Sequence, residues 1–223
     1  VLDTIKTHRT VTQLAQFMKN EGYFNAVVSD SIIYGIHKKA QVIYQIRSGE
    51  PYRVGSISYS INDPVVNQLV LSDADERKIV QGQNFRTADF QEERDRITMM
   101  LRNTGYYEFN QSYISFEVDT NLRSQLANIN ISIAGTNEPS VSGDSCCAGL
   151  HKIYRVKNVF VQTDYDPLSK DAPDNKKTIV YKDYQFYTTI TKPNIKYDAL
   201  IPRIFIEKDA LFKVENGDKS YQS

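Results

Sequence analysis

The sequence predicts an α+β architecture of tandem small modules, each running strand, helix, helix, strand, strand, and three internal echoes carry that expectation. Asn20–Phe24 reads N-E-G-Y-F and returns as N-T-G-Y-Y at Asn103–Tyr107, with Phe17, Met18 and Lys19 echoed by Met100, Leu101 and Arg102 at the same offset of 83 residues. Pro51–Ile61, PYRVGSISYSI, returns as IYRVKNVFVQT at Ile153–Thr163, now at an offset of 102. Ile79, Gly82 and Phe85 return as Ile206, Asp209 and Phe212 at an offset of 127. Self-similarity on this scale marks an array of supersecondary units, and the growing offset means that later copies carry insertions.

Taken in order, residues 1–9 carry little pattern, and Thr10–Lys19 reads as a helix with Val11, Leu14, Ala15 and Met18 on one face. Gly22 closes it, since glycine takes the left-handed C′ conformation without a Cβ penalty. Ala26–Tyr34 and Lys39–Arg47 read as a hairpin, the second run alternating Val42, Tyr44 and Ile46 with polar residues. After the turn Ser48–Pro51, Ile57, Tyr59 and Ile61 alternate with Ser56, Ser58 and Ser60, a strand with one wet face.

Asp63 and Pro64 supply a cap and an N1 proline for a short helix through Val65, Leu69 and Val70. A longer helix runs from Thr87 to Gly105, with Phe90, Ile97, Met100 and Leu101 as its apolar face and Glu92, Glu93, Asp95 and Arg96 as a solvated opposite face. Tyr113–Asp119 and Ala127–Ala134 are two alternating strands that set Ile114, Phe116 and Val118 against Ile129, Ile131 and Ile133. The polar, aperiodic stretch from Gly135 to Leu150 reads as a linker. Beyond it, Tyr154–Thr163 opens a further unit, Thr178–Ile190 reads as part of an extended inserted hairpin, and Tyr197–Ile204 stands where the short helix belongs. The expected organisation is a closing half-unit at 1–50, a complete unit at 51–135, a linker at 136–152, and an opening half-unit with its insertion at 153–223.

Composition excludes several functions. Lys plus Arg and Asp plus Glu are 27 each in 223 residues, so the bulk attraction that drives binding to nucleic acid or anionic membranes is absent. The apolar runs fall short of the roughly 20 residues a membrane helix needs. Cys146 and Cys147 are adjacent, which gives no metal-ligand spacing and favours free thiols over a strained bridge. His8, His37 and His151 are scattered, and no G-x-S-x-G, H-E-x-x-H or phosphate-cradling glycine loop occurs. Asp164-Tyr165-Asp166 and Asp171–Asp174 lack the glycine and distal glutamate of a calcium loop. No catalysis, cofactor, metal or small-molecule substrate is therefore expected.

The module order, with G-Y-F or G-Y-Y after the second helix and I-x-x-G-x-x-F before it, resembles polypeptide-transport-associated (POTRA) domains of the BamA and TamA type of outer-membrane assembly protein. Arg203–Phe212, RIFIEKDALF, together with Thr163-Asp164-Tyr165, looks most like the TamA-like proteins of Bacteroidota. The chain departs from the pattern in the insertion at 164–196 and in Asp209 where the family usually has glycine.

The resemblance implies three-stranded mixed sheets covered on one face by two helices, in a periplasmic scaffold attached to the bacterial outer membrane. Its partners would be unfolded outer-membrane polypeptides, a downstream β-barrel of the same chain and accessory envelope proteins. It maps the docking edge to Gln111–Asp119 and Ala26–Tyr34, with Gln111, Tyr113, Ser115 and Glu117 turned away from the helices and Val27, Ser29 and Ser31 as their counterparts. Gly22 and Gly105 end helices; Gly82, Phe85 and Phe212 belong to the turn motif; Tyr23, Phe24, Tyr106 and Tyr107 pack in cores and between units. The rival readings are a secretion transporter for one passenger, a divisome-type docking module and a scaffold bridging to an inner-membrane partner.

Overall fold

The computed structural model describes residues 4–36, 39–121, 123–136, 149–162, 177–188 and 196–222. His37, Cys146, Cys147, Thr163, the acidic segment 164–174 and all but the ends of the 135–150 stretch lie outside them. The architecture is α+β with three-stranded mixed sheets. Two compact units form, one from Val1–Ile97 with Gln111–Gly135, the other from Thr98–Asn110 with Thr136–Ser223.

In the first unit, helix α1 runs over Thr4–Asn20, so the segment that lacked a pattern is already helical, with Thr7 buried. Strands β1 (Val27–Tyr34) and β2 (Ala40–Arg47) pair antiparallel as the expected hairpin. Strands β3 (Arg53–Ile61), β4 (Ile114–Asn121) and β5 (Leu126–Ile133) form a sheet in the order β3-β5-β4, with β3 parallel and β4 antiparallel to β5. The register sets Ile114 opposite Ile133, Phe116 opposite Ile131 and Val118 opposite Ile129. The isoleucine face is buried; the serine and asparagine face is wet.

Helix α2 (Pro64–Ser72) starts as its sequence requires, the Asp63 carboxylate accepting from the Val65 and Val66 N–H groups at 2.9 and 3.1 Å. It buries Val66 and Val70. Helix α3 (Thr87–Asn103) carries one correction. Glu93 is fully buried and Arg96 nearly so, rather than standing on a solvated face. Glu93 lies three residues after Phe90 and four before Ile97, which puts it on the buried stripe whatever its charge.

There Glu93 accepts from the Lys78 N–H at 2.8 Å and pairs with the Arg96 guanidinium at 2.6 Å, while Arg96 also reaches Asp73. Burial disfavours the guanidinium charge, but the hydrogen bond to Glu93 and the charges of Glu93 and Asp73 outweigh it and hold the Arg96 pKa above its ordinary value. A buried charge is tolerable only when so paired.

The second unit has its own sheet, β6 (Val159–Gln162), β7 (Lys177–Tyr181) and β8 (Tyr184–Thr188), in the order β6-β8-β7. Here β6 runs parallel and β7 antiparallel to β8, which repeats the pattern of β3, β5 and β4. The hairpin read from the sequence as an insertion thus supplies two of the three strands, and it precedes helices α4 (Tyr197–Leu200) and α5 (Val214–Gln222). Alternation buries one face of β8: Tyr184, Phe186 and Thr188 lie on it, and the first two join Val159, Tyr197 and Ile201 in a core.

Candidate strand-docking edge

Two loops of the same design tie a Y-R-V triplet to the glycine that ends an earlier helix. In the first unit the Tyr52 N–H donates to the Gly22 carbonyl at 2.9 Å, and the Tyr52 carbonyl accepts from the Phe85 N–H at 2.8 Å. In the second the Tyr154 N–H donates to the Gly105 carbonyl at 2.8 Å, and the Tyr154 carbonyl accepts from the Phe212 N–H at 3.0 Å. The aromatics follow: Phe24 meets Tyr52 and Phe85 at ring-centroid distances of 5.0 and 5.3 Å, and Tyr107 meets Tyr154 and Phe212 at 6.1 and 4.7 Å.

Gly22 and Gly105 therefore end helices and also act as contacts. Both have positive φ, +88° and +101°. A Cβ on Gly22 would stand 2.5 Å from the Phe85 carbonyl oxygen, and one on Gly105 3.0 Å from Ile153 Cγ2. Gly82 (φ +87°) and Asp209 (φ +61°) occupy equivalent left-handed turn positions, and each donates its N–H to a valine carbonyl, Val54 at 2.8 Å and Val156 at 2.7 Å. Tyr106 is buried, whereas Tyr107 is half exposed and Tyr23 partly so. Tyr52 and Tyr154 were missed as junction residues, although the shared Y-R-V triplet marked both.

Strand β4 is the candidate docking edge. Among the described residues it has a sheet neighbour on one side only, β5. The Ala134 N–H donates to the Tyr113 carbonyl at 2.9 Å, which fixes the parity of this unbroken antiparallel register. Hydrogen-bonded pairs then fall at Ser115/Ser132, Glu117/Asn130 and Asp119/Asn128. Phe116, Val118 and Thr120, like the buried Ile114, are the residues whose N–H and C=O groups point outward from the sheet.

The expected edge residues divide accordingly. Gln111 and Tyr113 lie in a 3-10 turn ahead of the strand. Gln111 points toward α3, donating to Asp95 at 2.6 Å and accepting from Gln91 at 3.1 Å, so it does not face away from the helices. Ser115 and Glu117 do lie on the open face, where the Ser115 and Ser132 hydroxyls are 2.8 Å apart and Glu117 accepts from Asn130 at 3.3 Å.

Their backbones, however, are turned to β5. In the first hairpin the Gly35 N–H donates to the Lys39 carbonyl at 2.8 Å, so Val27, Ser29 and Ser31 are likewise engaged with β2. On one strand face, side-chain direction and backbone direction repeat together, so choosing residues by an open-face side chain selects those with occupied backbone groups.

The open face of the sheet is a polar ladder. Asn128 Oδ1 accepts from the Ser56 N–H and hydroxyl, both at 3.0 Å, and so fills the bulge where the β3–β5 register shifts between Val54 and Ile57. Asn130 Oδ1 accepts from the Ser58 and Ser60 hydroxyls at 3.1 and 3.0 Å. Among the described residues no three of His, Cys, Asp and Glu converge as a metal site would require, and no helix is long and apolar enough to cross a membrane.

No protein-family model and no curated protein matches the chain. Solved structures similar to it are POTRA domains of BamA and Omp85 proteins. POTRA domains 3–5 of Haemophilus influenzae BamA are 11% identical over 96% of this chain and 66% of that one, with a TM-score of 0.44. Haemophilus ducreyi BamA lacking POTRA domains 1–3 is 18% identical over 60% of this chain and 23% of that one, at 0.35. POTRA domains 1–3 of Omp85 from Anabaena are 16% identical over 64% and 54%, at 0.32. The chain thus spans about two thirds of the first of these and less of the other two.

Proposed function

We propose that this chain is a run of POTRA-type modules in an outer-membrane assembly or translocation factor. It acts as a periplasmic scaffold that receives unfolded β-barrel polypeptides by strand augmentation and passes them to a membrane barrel of the same protein, with accessory envelope proteins as further partners. Within that family the Arg203–Phe212 segment favours the TamA-like branch. The observation that carries the reading is the outward-facing backbone of Phe116, Val118 and Thr120 on β4, a template for an added strand.

Backbone pairing reads no particular sequence, which suits many clients. Each hydrogen bond contributes about 0.5–1.5 kcal/mol net, so a short guest binds weakly once the cost of association is subtracted, and it leaves easily. Proline at position 118 removes one outward donor and leaves the β4–β5 ladder intact. Val118→Pro in the full chain should weaken binding of an unfolded outer-membrane-type strand by about fivefold or more with an unaltered circular dichroism spectrum. Unchanged binding would contradict the reading.

A further inference from the structure

The edge on which the proposed function rests has two unlike flanks. On the helix side Phe116 meets Phe90 at 5.1 Å between centroids, the Arg94 guanidinium lies 5.1 Å over the same ring, and Val118 is 40% exposed. On the open side Glu117 and Asp119 are exposed, two residues apart and therefore on one face. They border a depression of about 230 Å³ that Ser58, Asn128 and Asn130 also line. Among the described residues neither carboxylate has an ion-pair partner.

A strand added beside β4 has the same pleat, so its side chains fall alternately on the two flanks and meet those of β4 as cross-strand neighbours. Apolar guest residues extend the Phe116–Val118 row. On the other flank an opposite charge stabilises the pairing and a like charge opposes it. We propose that the β4 edge selects extended segments in which apolar residues alternate with lysine or arginine, the cations lodging beside Glu117 and Asp119. This selectivity presupposes the strand-docking reading.

The test uses the full 223-residue chain and three labelled nine-residue peptides with blocked ends, identical in their valine and phenylalanine positions and carrying lysine, glutamate or serine at the alternate ones. At low ionic strength the lysine peptide should bind about tenfold or more tightly than the glutamate peptide, and the gap should narrow at high salt. The gap should also fall below about twofold in the Glu117→Gln/Asp119→Asn variant, with the serine peptide unaffected. Equal affinities for the lysine and glutamate peptides in the unaltered chain would overturn the selectivity and leave strand docking standing. Discrimination that persists in the double variant would overturn it as well. Binding of none of the three would overturn strand docking itself.

Discussion

The Tyr52 amide donates to the Gly22 carbonyl at 2.9 Å, and 102 residues later the Tyr154 amide makes the same bond to Gly105 at 2.8 Å. One loop design, a glycine with positive φ whose carbonyl accepts from the tyrosine of a later Y-R-V triplet, is thus used twice. The surrounding sequence differs in length and composition, so the interlock is the conserved element within the chain, and it fixes where β3 starts relative to the helix that precedes it.

The two glycines should differ in their tolerance of a methyl group. Left-handed backbone costs an L-residue about 1–2 kcal/mol, which sets the expected loss for Gly105→Ala, because the nearest side-chain atom can yield. Gly22→Ala meets a backbone oxygen and should cost more. Urea denaturation of both variants measures the order; equal losses would contradict it.

Asp209 takes the left-handed place that glycine holds at position 82. Asp209→Gly should stabilise the second unit by up to about 1 kcal/mol, the relief of strain exceeding the added freedom of the unfolded chain, while Asp209→Val should destabilise it. The midpoints of chemical unfolding decide the matter.

The Glu93–Arg96 pair should behave as a unit. Arg96→Met leaves a buried carboxylate unpaired and should cost about 3–5 kcal/mol, whereas Glu93→Leu/Arg96→Met together should cost less than that single change. A double variant as damaged as the sum of both singles would show that the two side chains act independently.

These cases also show where the sequence was readable. The strands around Ile57 and Ile131, the Asp63 cap and the glycine-ended helices followed from period, capping chemistry and backbone sterics. The charge of Glu93 points to solvent, whereas its spacing from Phe90 and Ile97 puts it on the buried stripe, and the spacing prevails. The second hairpin was recognised but not its role, since alternation says which face of β8 is buried and not which strand it pairs with. At the edge, Ser115 and Glu117 drew attention by their exposed side chains, while the free backbone groups belong to Phe116, Val118 and Thr120; only the register separates the two sets.

Stability should carry a pH signature at Asp89. Burial pushes its carboxyl above the ordinary value, with Arg86 pulling the other way and Glu92 and Glu21 adding to the rise. A raised folded pKa means the folded chain holds this proton more tightly. Its contribution is therefore present at low pH and lost as pH rises through the folded value. Asp89→Asn removes that loss, so the variant should gain on the parent chain as pH rises above the ordinary aspartate value of 3.8. A pH-independent difference would contradict the burial effect.

Attachment to a membrane barrel is tested by fractionating the source envelope with an antibody to this chain. A large outer-membrane band whose gel mobility changes on boiling supports the proposed scaffold. A soluble band near 25.6 kDa contradicts the tether and favours a free docking module.

Backbone amide shifts along β4 read the free edge most directly. On titrating the labelled chain with an extended peptide, the N–H signals of Phe116, Val118 and Thr120 should move and gain protection from exchange, while those of Ser115, Glu117 and Asp119, already bonded to β5, should change little. Perturbations confined to other segments, or equal along the whole strand, would contradict docking at this edge.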